Sequence, residues 1–505
     1  MNYKETLEYI HNTPKFSRVL GNDLLRKLLD KLGNPQNGLK FIHIAGTNGK
    51  GSCAVMLSEI LVRAGYTTGL YTSPYIEKFN ERIRVNGTVI ENRKLSAITT
   101  KIRRIIEEND TPVSEFALDT AIAFEYFKEK KCDIVVLETG LGGRLDATNV
   151  INESVVSVLM SIGLDHTQYL GDTIEQITAE KCGILKENGD TVVYPIQEEK
   201  CFEVIKKFCE KLNNKLTITK MPEISEGNKF DYDGKKYELG LSGEFQKYNG
   251  ATVLETVKIL KNKGFDISDE AVSKGLKSAF NPGRLEKLPC GIIIDGAHNL
   301  PAITALCESL KQTGKAVRLC VAMMEDKDIS GCIDKLSEIA ESVIVTQIDM
   351  PRCASVLDLK EKFESNGIKV QAVENPANAV KKLIKITGED EIACACGSLY
   401  FIGEIRKKFA KPMKKYYVYM LRCLDNSLYT GITTDVERRF REHTTKDVKG
   451  AKYTKARMPV SIEAVWEREG RSDASKLEAE LKALTKAEKE KLIKENPYTE
   501  RNTRS

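Results

Sequence analysis

The chain has 505 residues, enough for about three domains of ordinary size. Hydrophobic residues at 41% and charged residues at 30% exclude a disordered or fibrous chain and describe a globular one. The net charge of +5 is unevenly placed: residues 411–505 hold 22 Lys+Arg against 15 Asp+Glu, whereas the residues before them hold 55 against 57. A basic tail on a near-neutral body suggests a separate module with an anionic partner.

There is no apolar run of about eighteen residues, the length a membrane helix needs, and residues 1–20 lack a signal-peptide core. No membrane partner and a cytoplasmic location are therefore expected. Thirteen cysteines are scattered along the chain with no zinc-site spacing. They read as reduced thiols used as small hydrophobes.

In chain order, LKFIHIAG (39–46) is a short apolar run ending in glycine, and a helical pattern follows over Ala54–Ala64. Between them lies GTNGKGS (46–52). Glycine-rich backbone between a strand and a helix can aim its N–H groups at phosphate oxygens, with Lys50 reaching the outer phosphates. The loop departs from the standard phosphate-binding pattern because Gly51 stands between Lys50 and Ser52. CDIVVLETG (132–140) and SVVSVLMSIG (154–163) repeat the strand-then-glycine signal. Glu138 ends the apolar run IVVLE, where a mere surface carboxylate is out of place. A second group of strand signals comprises GIIIDGAHN (291–299), AVRLCVAM (316–323), SVIVTQI (342–348) and EIACACGS (391–398). Apolar strands alternating with helices predict parallel sheets covered on both faces, so two α/β domains are expected with a boundary near Lys287. KPMKK (411–415) reads as a connector, and YYVYMLRC (416–423) starts something new.

The variant Gly-Lys-Gly-Ser loop opens an ordered motif series: GTNGKGS (46–52), YTSPY (71–75), FNERI (79–83), ETGLGGRLDATN (138–149), GLDHTQYLGDTIEQITAEKCGILK (163–186), NPGRLE (281–286), DGAHN (295–299) and GSLY (397–400). Over residues 1–410 this series resembles the folylpolyglutamate synthase/dihydrofolate synthase family of the Mur ligase superfamily. The resemblance implies a P-loop Mur-ligase-type α/β ATP-binding domain over 1–287 and a smaller α/β Mur-ligase C-terminal domain over 288–410. It implies ATP on Gly46, Thr47, Asn48, Gly49, Lys50, Gly51, Ser52, Asn249, Arg284, Asp295 and His298. Mg²⁺ is implied on Ser73, Glu138 and His166, and a second metal ion on Lys181 as a carbamate. Lys50, His166, Lys181 and Arg284 are the expected catalytic groups, and Arg82, Phe116, Leu145 and Asp146 the folate-side candidates. The implied reaction phosphorylates the γ-carboxylate of tetrahydrofolate or a folylpolyglutamate and couples the acyl phosphate to L-glutamate, in a monomer.

Three acceptor-side positions depart from the family pattern: Tyr75 follows Thr-Ser-Pro in place of His, Ala117 follows Phe116 in place of an acid, and Asn281 precedes Pro282 in place of Trp. Glutamate addition to an existing folate is therefore ranked above its addition to dihydropteroate. Another Mur-type ligase acting on a cell-wall precursor is a further alternative, although DATN and GLDHTQ favour the folate branch.

Residues 416–496 resemble the GIY-YIG nuclease superfamily, a small α+β fold, with 497–505 as a tail. Tyr417-Val418-Tyr419 and Tyr429-Thr430-Gly431 stand for its two triplets, with Asp425-Asn426 near a hairpin turn. Tyr419, Tyr429, Arg439, His443 and Glu478 are the implied site residues, with a Mg²⁺-dependent nuclease or a DNA- or RNA-binding module as the implied function.

Overall fold

The computed structural model describes residues 1–15, 21–325, 328–410, 415–444, 457–469 and 471–498. The chain divides into two compact units, Met1–Lys408 and Phe409–Ser505. Residues 411–414 of the expected connector and 499–505 of the expected tail lie outside the described residues, and Lys415 already opens a strand.

The first sheet is built from β1 (Phe41–Ala45), β2 (Thr68–Tyr71), β3 (Ile83–Val85), β4 (Thr88–Val89), β5 (Ile134–Glu138), β6 (Val156–Leu159), β7 (Asp190–Val193) and β8 (Lys215–Ile218). Their spatial order is β4-β3-β2-β5-β1-β6-β7-β8, and the pairs from β2 to β8 are parallel. The strand period of two sorts β1 between two cores. Ile42 and Ile44 face Cys53, Leu57 and Leu61 of the helix Lys50–Arg63, while Phe41 faces Leu118 and Phe124 of the helix Glu115–Glu129. Ile44 pairs with Glu138, Ala45 with Leu159 and Tyr71 with Leu137, so four strands end level and four loops leave from one edge.

The helix after β1 begins at Lys50, four residues before the sequence pattern suggests, because left-handed Gly49 starts it inside the loop. A second glycine decides the position of Lys181. A Cβ on Gly143 would lie 2.8 Å from the carbonyl oxygens of both Glu180 and Lys181, so only glycine lets the 140–145 loop rest on the end of the helix Ile174–Cys182.

A small antiparallel sheet of β9 (Glu223–Ile224), β10 (Lys229–Tyr232) and β11 (Lys235–Glu238) follows. The next sheet contains β12 (Glu286–Lys287), β13 (Ile293–Ile294), β14 (Val317–Val321), β15 (Ala340–Val345), β16 (Val370–Ala372) and β17 (Ile392–Cys396). Its order is β12-β13-β17-β14-β15-β16, parallel except for the β12–β13 hairpin. Glu286 and Lys287 are thus hydrogen-bonded into this second sheet, and the expected boundary near Lys287 falls within that hairpin. Eleven of the thirteen cysteines are buried, Cys394 and Cys396 among them in β17.

The second unit is an antiparallel sheet, β19 (Leu428–Thr433), β18 (Lys415–Cys423) and β20 (Pro459–Glu469), in that spatial order. Val418 and Met420 face Ala474, Leu477 and Leu481 of the helix Arg471–Ala483, whereas Tyr417, Tyr419 and Leu421 face Val436 and Phe440 of the helix Val436–Thr444. Arg422 ties the unit together through Glu463 and Glu490, each within 2.9 Å.

Among the described residues no helix is long and apolar enough to cross a membrane. Phe124 is fully buried, its ring edge-on to Phe41 at 5.6 Å. Phe124→Ala is expected to lower unfolding stability by about 3–5 kcal/mol, read from the denaturant midpoint of the larger unit.

Candidate active site

The four loops leaving the level strand ends line a cavity of about 400 Å³. Every residue expected to hold nucleotide or metal borders it: the 46–52 loop, Ser73, Glu138, His166, Lys181, Asn249, Arg284, Asp295 and His298. The loop is fixed from beneath, because the N–H groups of Thr47 and Asn48 both donate to the Ser161 carbonyl. The first turn of the helix Lys50–Arg63 leaves N–H groups with no partner inside the helix, the usual setting for an anion.

Lys50 Nζ donates to the carbonyls of Gly46 (2.9 Å) and Thr47 (3.2 Å), and Lys181 Nζ reaches the same Gly46 oxygen at 3.0 Å. Burial lowers the pKa of both, and for Lys181, with the Lys50 charge adding to the effect, the value falls to about 7. Glu138 accepts the Ser73 N–H at 3.1 Å. Burial pushes its pKa up to about 7, opposed by the nearby Lys50 ammonium. His166 stands in left-handed backbone at the start of a short helix, and its N–H is held by the Asp165 side chain at 2.8 Å.

The second sheet supplies the opposite wall. Asp295 accepts the N–H groups of Leu285 and Ala297 at 2.8 and 2.7 Å; burial raises its pKa and the Arg284 charge opposes this. His298 Nδ1 donates to the Gly296 carbonyl at 2.7 Å. Asn249 donates to Gln246, and Gln246 and Asn281 both donate to the Ser52 hydroxyl.

A larger cleft of about 1700 Å³ adjoins this cavity, and Ser73, Pro74, Gly140, Leu141, Asp165 and His166 border both. The four folate-side candidates, Arg82, Phe116, Leu145 and Asp146, line the cleft. Arg82 lies beside the rings of Tyr75 and Phe79, 5.3 and 5.8 Å from their centroids. Its Nε is 3.6 Å from Asp119, whose pKa burial pushes up to about 7 against the pull of Arg82.

Several site residues were not singled out from the sequence. Asn299 donates to Asp165 at 2.8 Å and exchanges weak hydrogen bonds with Asn48, joining the two sheets' loops. Both lay inside motifs already marked, directly after His298 and before His166. Gln246 and Asp119 carried no such signal, because they reach the site only through helix packing.

Magnesium prefers hard oxygen ligands and commonly retains phosphate oxygens and waters among them. Among the described residues no three His, Cys, Asp or Glu side chains form a metal cluster. The buried Glu138 carboxylate, the Ser73 hydroxyl and His166 nevertheless fit an ion that shares nucleotide phosphates. The ammonium of Lys181 does not fit, whereas its carbamate does.

In the second unit, four expected residues meet. The Tyr419 hydroxyl lies 2.9 Å from His443 Nε2, Tyr429 packs 5.2 Å from the His443 ring, and the Arg439 guanidinium reaches the Tyr419 hydroxyl. A Cβ on Gly431 would sit 2.6 Å from that hydroxyl, so the glycine of the second triplet makes room for the tyrosine of the first. Burial, reinforced by Arg439, lowers the His443 pKa to about 4. The fifth expected residue, Glu478, lies on the helix Arg471–Ala483, which packs against Val418 and Met420, and it pairs with Lys482 at 2.8 Å.

Family models match at three places: the Mur ligase middle domain over residues 44–257, the Mur ligase glutamate ligase domain over 283–399, and the GIY-YIG catalytic domain over 415–491. The dihydrofolate synthase/folylpolyglutamate synthase of Bacillus subtilis (strain 168) is 36% identical over 428 residues, covering 80% of this chain and 99% of that one. The Mycobacterium tuberculosis folylpolyglutamate synthase complexed with ADP superposes with a TM-score of 0.73 at 27% identity, covering 81% and 98% of the two chains. The Yersinia pestis bifunctional folylpolyglutamate synthase/dihydrofolate synthase complexed with AMPPNP and Mn ion gives 0.72 at 28% identity, with the same coverage.

Glu138 generates a pH prediction. Its folded pKa of about 7 exceeds its ordinary 4.5, so the folded chain holds this proton more tightly than the unfolded chain. Its contribution to stability is complete below pH 4.5 and is lost as pH rises through about 7. With nucleotide and metal removed, Glu138→Gln is expected to flatten the fall in melting temperature between about pH 5 and pH 7, as thermal unfolding at the two pH values would show.

Proposed function

The chain belongs to the folylpolyglutamate synthase/dihydrofolate synthase family, and from that premise we propose that its larger unit adds L-glutamate to the γ-carboxylate of a reduced folate at the expense of ATP. The observation that carries the reading is the meeting of the two cavities at Ser73 and His166, which puts a phosphate-binding loop and an aromatic-lined cleft on one shared wall. A carboxylate entering from the cleft can there face the terminal phosphate of a nucleotide.

In the proposed reaction the acceptor's γ-carboxylate oxygen attacks the γ-phosphorus of ATP, and ADP leaves. The amine of glutamate then attacks the acyl carbon, phosphate leaves, and an amide remains. Lys50 would release the Gly46 and Thr47 carbonyls and turn to the phosphates. Arg284 would stand opposite as a second cation. When bound at Ser73, Glu138 and His166, Mg²⁺ would offset charge on the β- and γ-phosphates. Lys181, whose pKa of about 7 leaves much of its amine neutral, can add CO₂ and lose a proton, giving an anionic carbamate that would suit a second metal ion. Closure of the two sheets' loops through Asn48, Asn299 and Asp165 would exclude water from the acyl phosphate.

Turnover is expected with tetrahydrofolate as acceptor and to be much weaker with dihydropteroate, because two of the three departures, Tyr75 and Ala117, line the acceptor cleft, whereas Asn281 contacts Ser52 of the phosphate loop. ADP release by the purified chain with Mg·ATP and L-glutamate tests this. Equal turnover with both acceptors would make the enzyme bifunctional, and turnover with neither would sink the reading. Lys181→Ala is expected to lower that rate on the order of 10²-fold, by loss of the metal-holding carbamate.

For the smaller unit the Tyr419–Arg439–His443 cluster favours a reading as a nucleic-acid module that cleaves phosphodiesters. Arg439→Ala is expected to abolish Mg²⁺-dependent nicking of DNA or RNA; undiminished nicking would remove Arg439 from that role.

A further inference from the structure

Three polar residues of the motif series, Arg144, Asn149 and Lys186, border neither cavity, yet they meet at one place. That place is the C-terminal end of the helix Ile174–Cys182, which carries Lys181. The last carbonyls of a helix have no partner inside it, and a left-handed glycine that turns the chain back often satisfies them. Gly183 follows this helix, but its backbone is right-handed, with φ of −60° and ψ of −12°. Glycine is needed there for a different reason: a Cβ would lie 2.4 Å from both Cα and Cβ of Arg144. The helix is therefore capped from outside, by the loop that follows β5.

Asn149 is the hub of that cap. Its Nδ2 donates to the carbonyl of Gly183 at 2.9 Å and to that of Arg144 at 3.1 Å, one on each side of the contact. Lys186 Nζ donates to Asn149 Oδ1 at 2.8 Å and to the Ile151 carbonyl at 2.7 Å. An ammonium can face only the oxygen of an amide, so Lys186 fixes which way the Asn149 side chain lies and leaves both Nδ2 protons for the two carbonyls. Arg144 ties the loop to the same helix again. Its backbone N–H donates to the Glu180 carbonyl at 2.7 Å, and its guanidinium donates to the Glu180 carboxylate at 2.7 and 3.0 Å. Glu180 directly precedes Lys181 and Gly183 stands just beyond it, so the lysine is clamped on both sides. The loop that does this also lines the acceptor cleft, through Leu145, Asp146 and Ala147.

We propose that Asn149 is a positioning residue for Lys181: it sets the place of that lysine through the capped helix end, with Lys186 orienting the amide and Arg144 bracing the loop. This deepens the folate-ligase reading and rests on it. Lys181 Nζ meets the Gly46 carbonyl at 3.0 Å across from another element, so the standing of the helix end decides where its side chain arrives. A working group has to be held within about 0.5 Å of its productive place, and neighbours that touch no ligand themselves commonly do the holding. Asn149 lines neither cavity. Its loss therefore falls on the metal and on the chemical step and leaves the affinity for nucleotide and acceptor in place.

The test is a double-mutant cycle of Asn149→Ala and Lys181→Ala in the full-length protein, read in two ways. The first is Mn²⁺ binding to the AMPPNP-loaded protein, followed by electron paramagnetic resonance. Asn149→Ala is expected to weaken Mn²⁺ about tenfold, and the double variant to bind it as Lys181→Ala alone does. The second is ADP release with tetrahydrofolate and L-glutamate. Asn149→Ala is expected to lower kcat about tenfold, with KM for ATP and for tetrahydrofolate changed less than about twofold. A residue that only stabilises the fold would add its loss to that of Lys181→Ala. Additive losses, or Mn²⁺ binding unweakened by Asn149→Ala, overturn the proposal. Should Asn149→Ala fail to fold, Arg144→Ala decides, since that side chain is 58% exposed. It is expected to weaken Mn²⁺ about threefold by itself and not at all beside Lys181→Ala. Equal weakening in both backgrounds, or none in either, overturns the proposal. The two readings fail differently. Non-additive Mn²⁺ binding without glutamate-dependent ADP release would sink the ligase and keep the positioning role, whereas full turnover with additive losses would do the opposite.

Discussion

One carbonyl oxygen, that of Gly46, receives the ammonium groups of both Lys50 and Lys181. Two buried lysine amines sharing one neutral acceptor cannot both carry charge cheaply, and the lowered pKa values of both express that cost. Glu138, nearby and itself raised toward neutrality, offsets only part of it. The pocket is in effect a hole in a low-dielectric wall where lysines face the carboxylates of Glu138 and Asp165, and an oligophosphate would give those lysines further anionic partners. Nucleotide binding and folding stability are therefore linked at this point, since whatever binds the folded chain alone also stabilises it.

The rest of the larger unit follows from holding that hole open. Level strand ends require the parallel register of β1 with β5 and β6, which in turn requires apolar residues on both faces of those strands. Lys181 reaches Gly46 only because Gly143 lets two backbone segments touch. The Asp146 carboxylate accepts the N–H groups of Gly140, Leu141 and Thr148 and so fixes the backbone of its own loop. The chemistry is carried by few groups, and most of the polar residues around them serve to fix backbone.

What was legible in the sequence divides along the same line. The 46–52 loop, Glu138 at the end of IVVLE and the strands around them could be read because each is a local pattern: a strand, a glycine, then a helix. The role of Asp146 could not, since an acid bonded to its own backbone and one that faces a cation look alike in a string of letters. Asp119 and Arg82 are 37 positions apart and meet through the packing of the helix Glu115–Glu129 beside β3 and the short turn Phe79–Arg82. In the smaller unit the spacing of Tyr419, Tyr429, Arg439 and His443 anticipated a real cluster, because a hairpin and the next helix fix their distances locally. Glu478 comes from a later helix, and spacing along the chain could not say which face of the sheet that helix would take.

The junction between the two larger sheets is held by a different kind of contact from the cores on either side. Asn48, Asn299 and Asp165 join it at one point, and Arg406 joins it at another by pairing with both Glu77 and Glu286. Amide and ion-pair contacts at a partly exposed seam can be exchanged for water at little net cost, unlike the apolar packing of the sheets themselves. A seam of this composition permits opening for substrate entry and closing for reaction without unfolding either sheet. Asn299 both caps the helix Leu300–Lys311 and donates to Asp165, whose side chain accepts the His166 N–H, so the seam and the His166 backbone are tied through one residue. The polar character of the junction is thus a requirement of the chemistry, because a water-sensitive acyl phosphate needs a site that shuts, and a bulky acceptor needs one that opens.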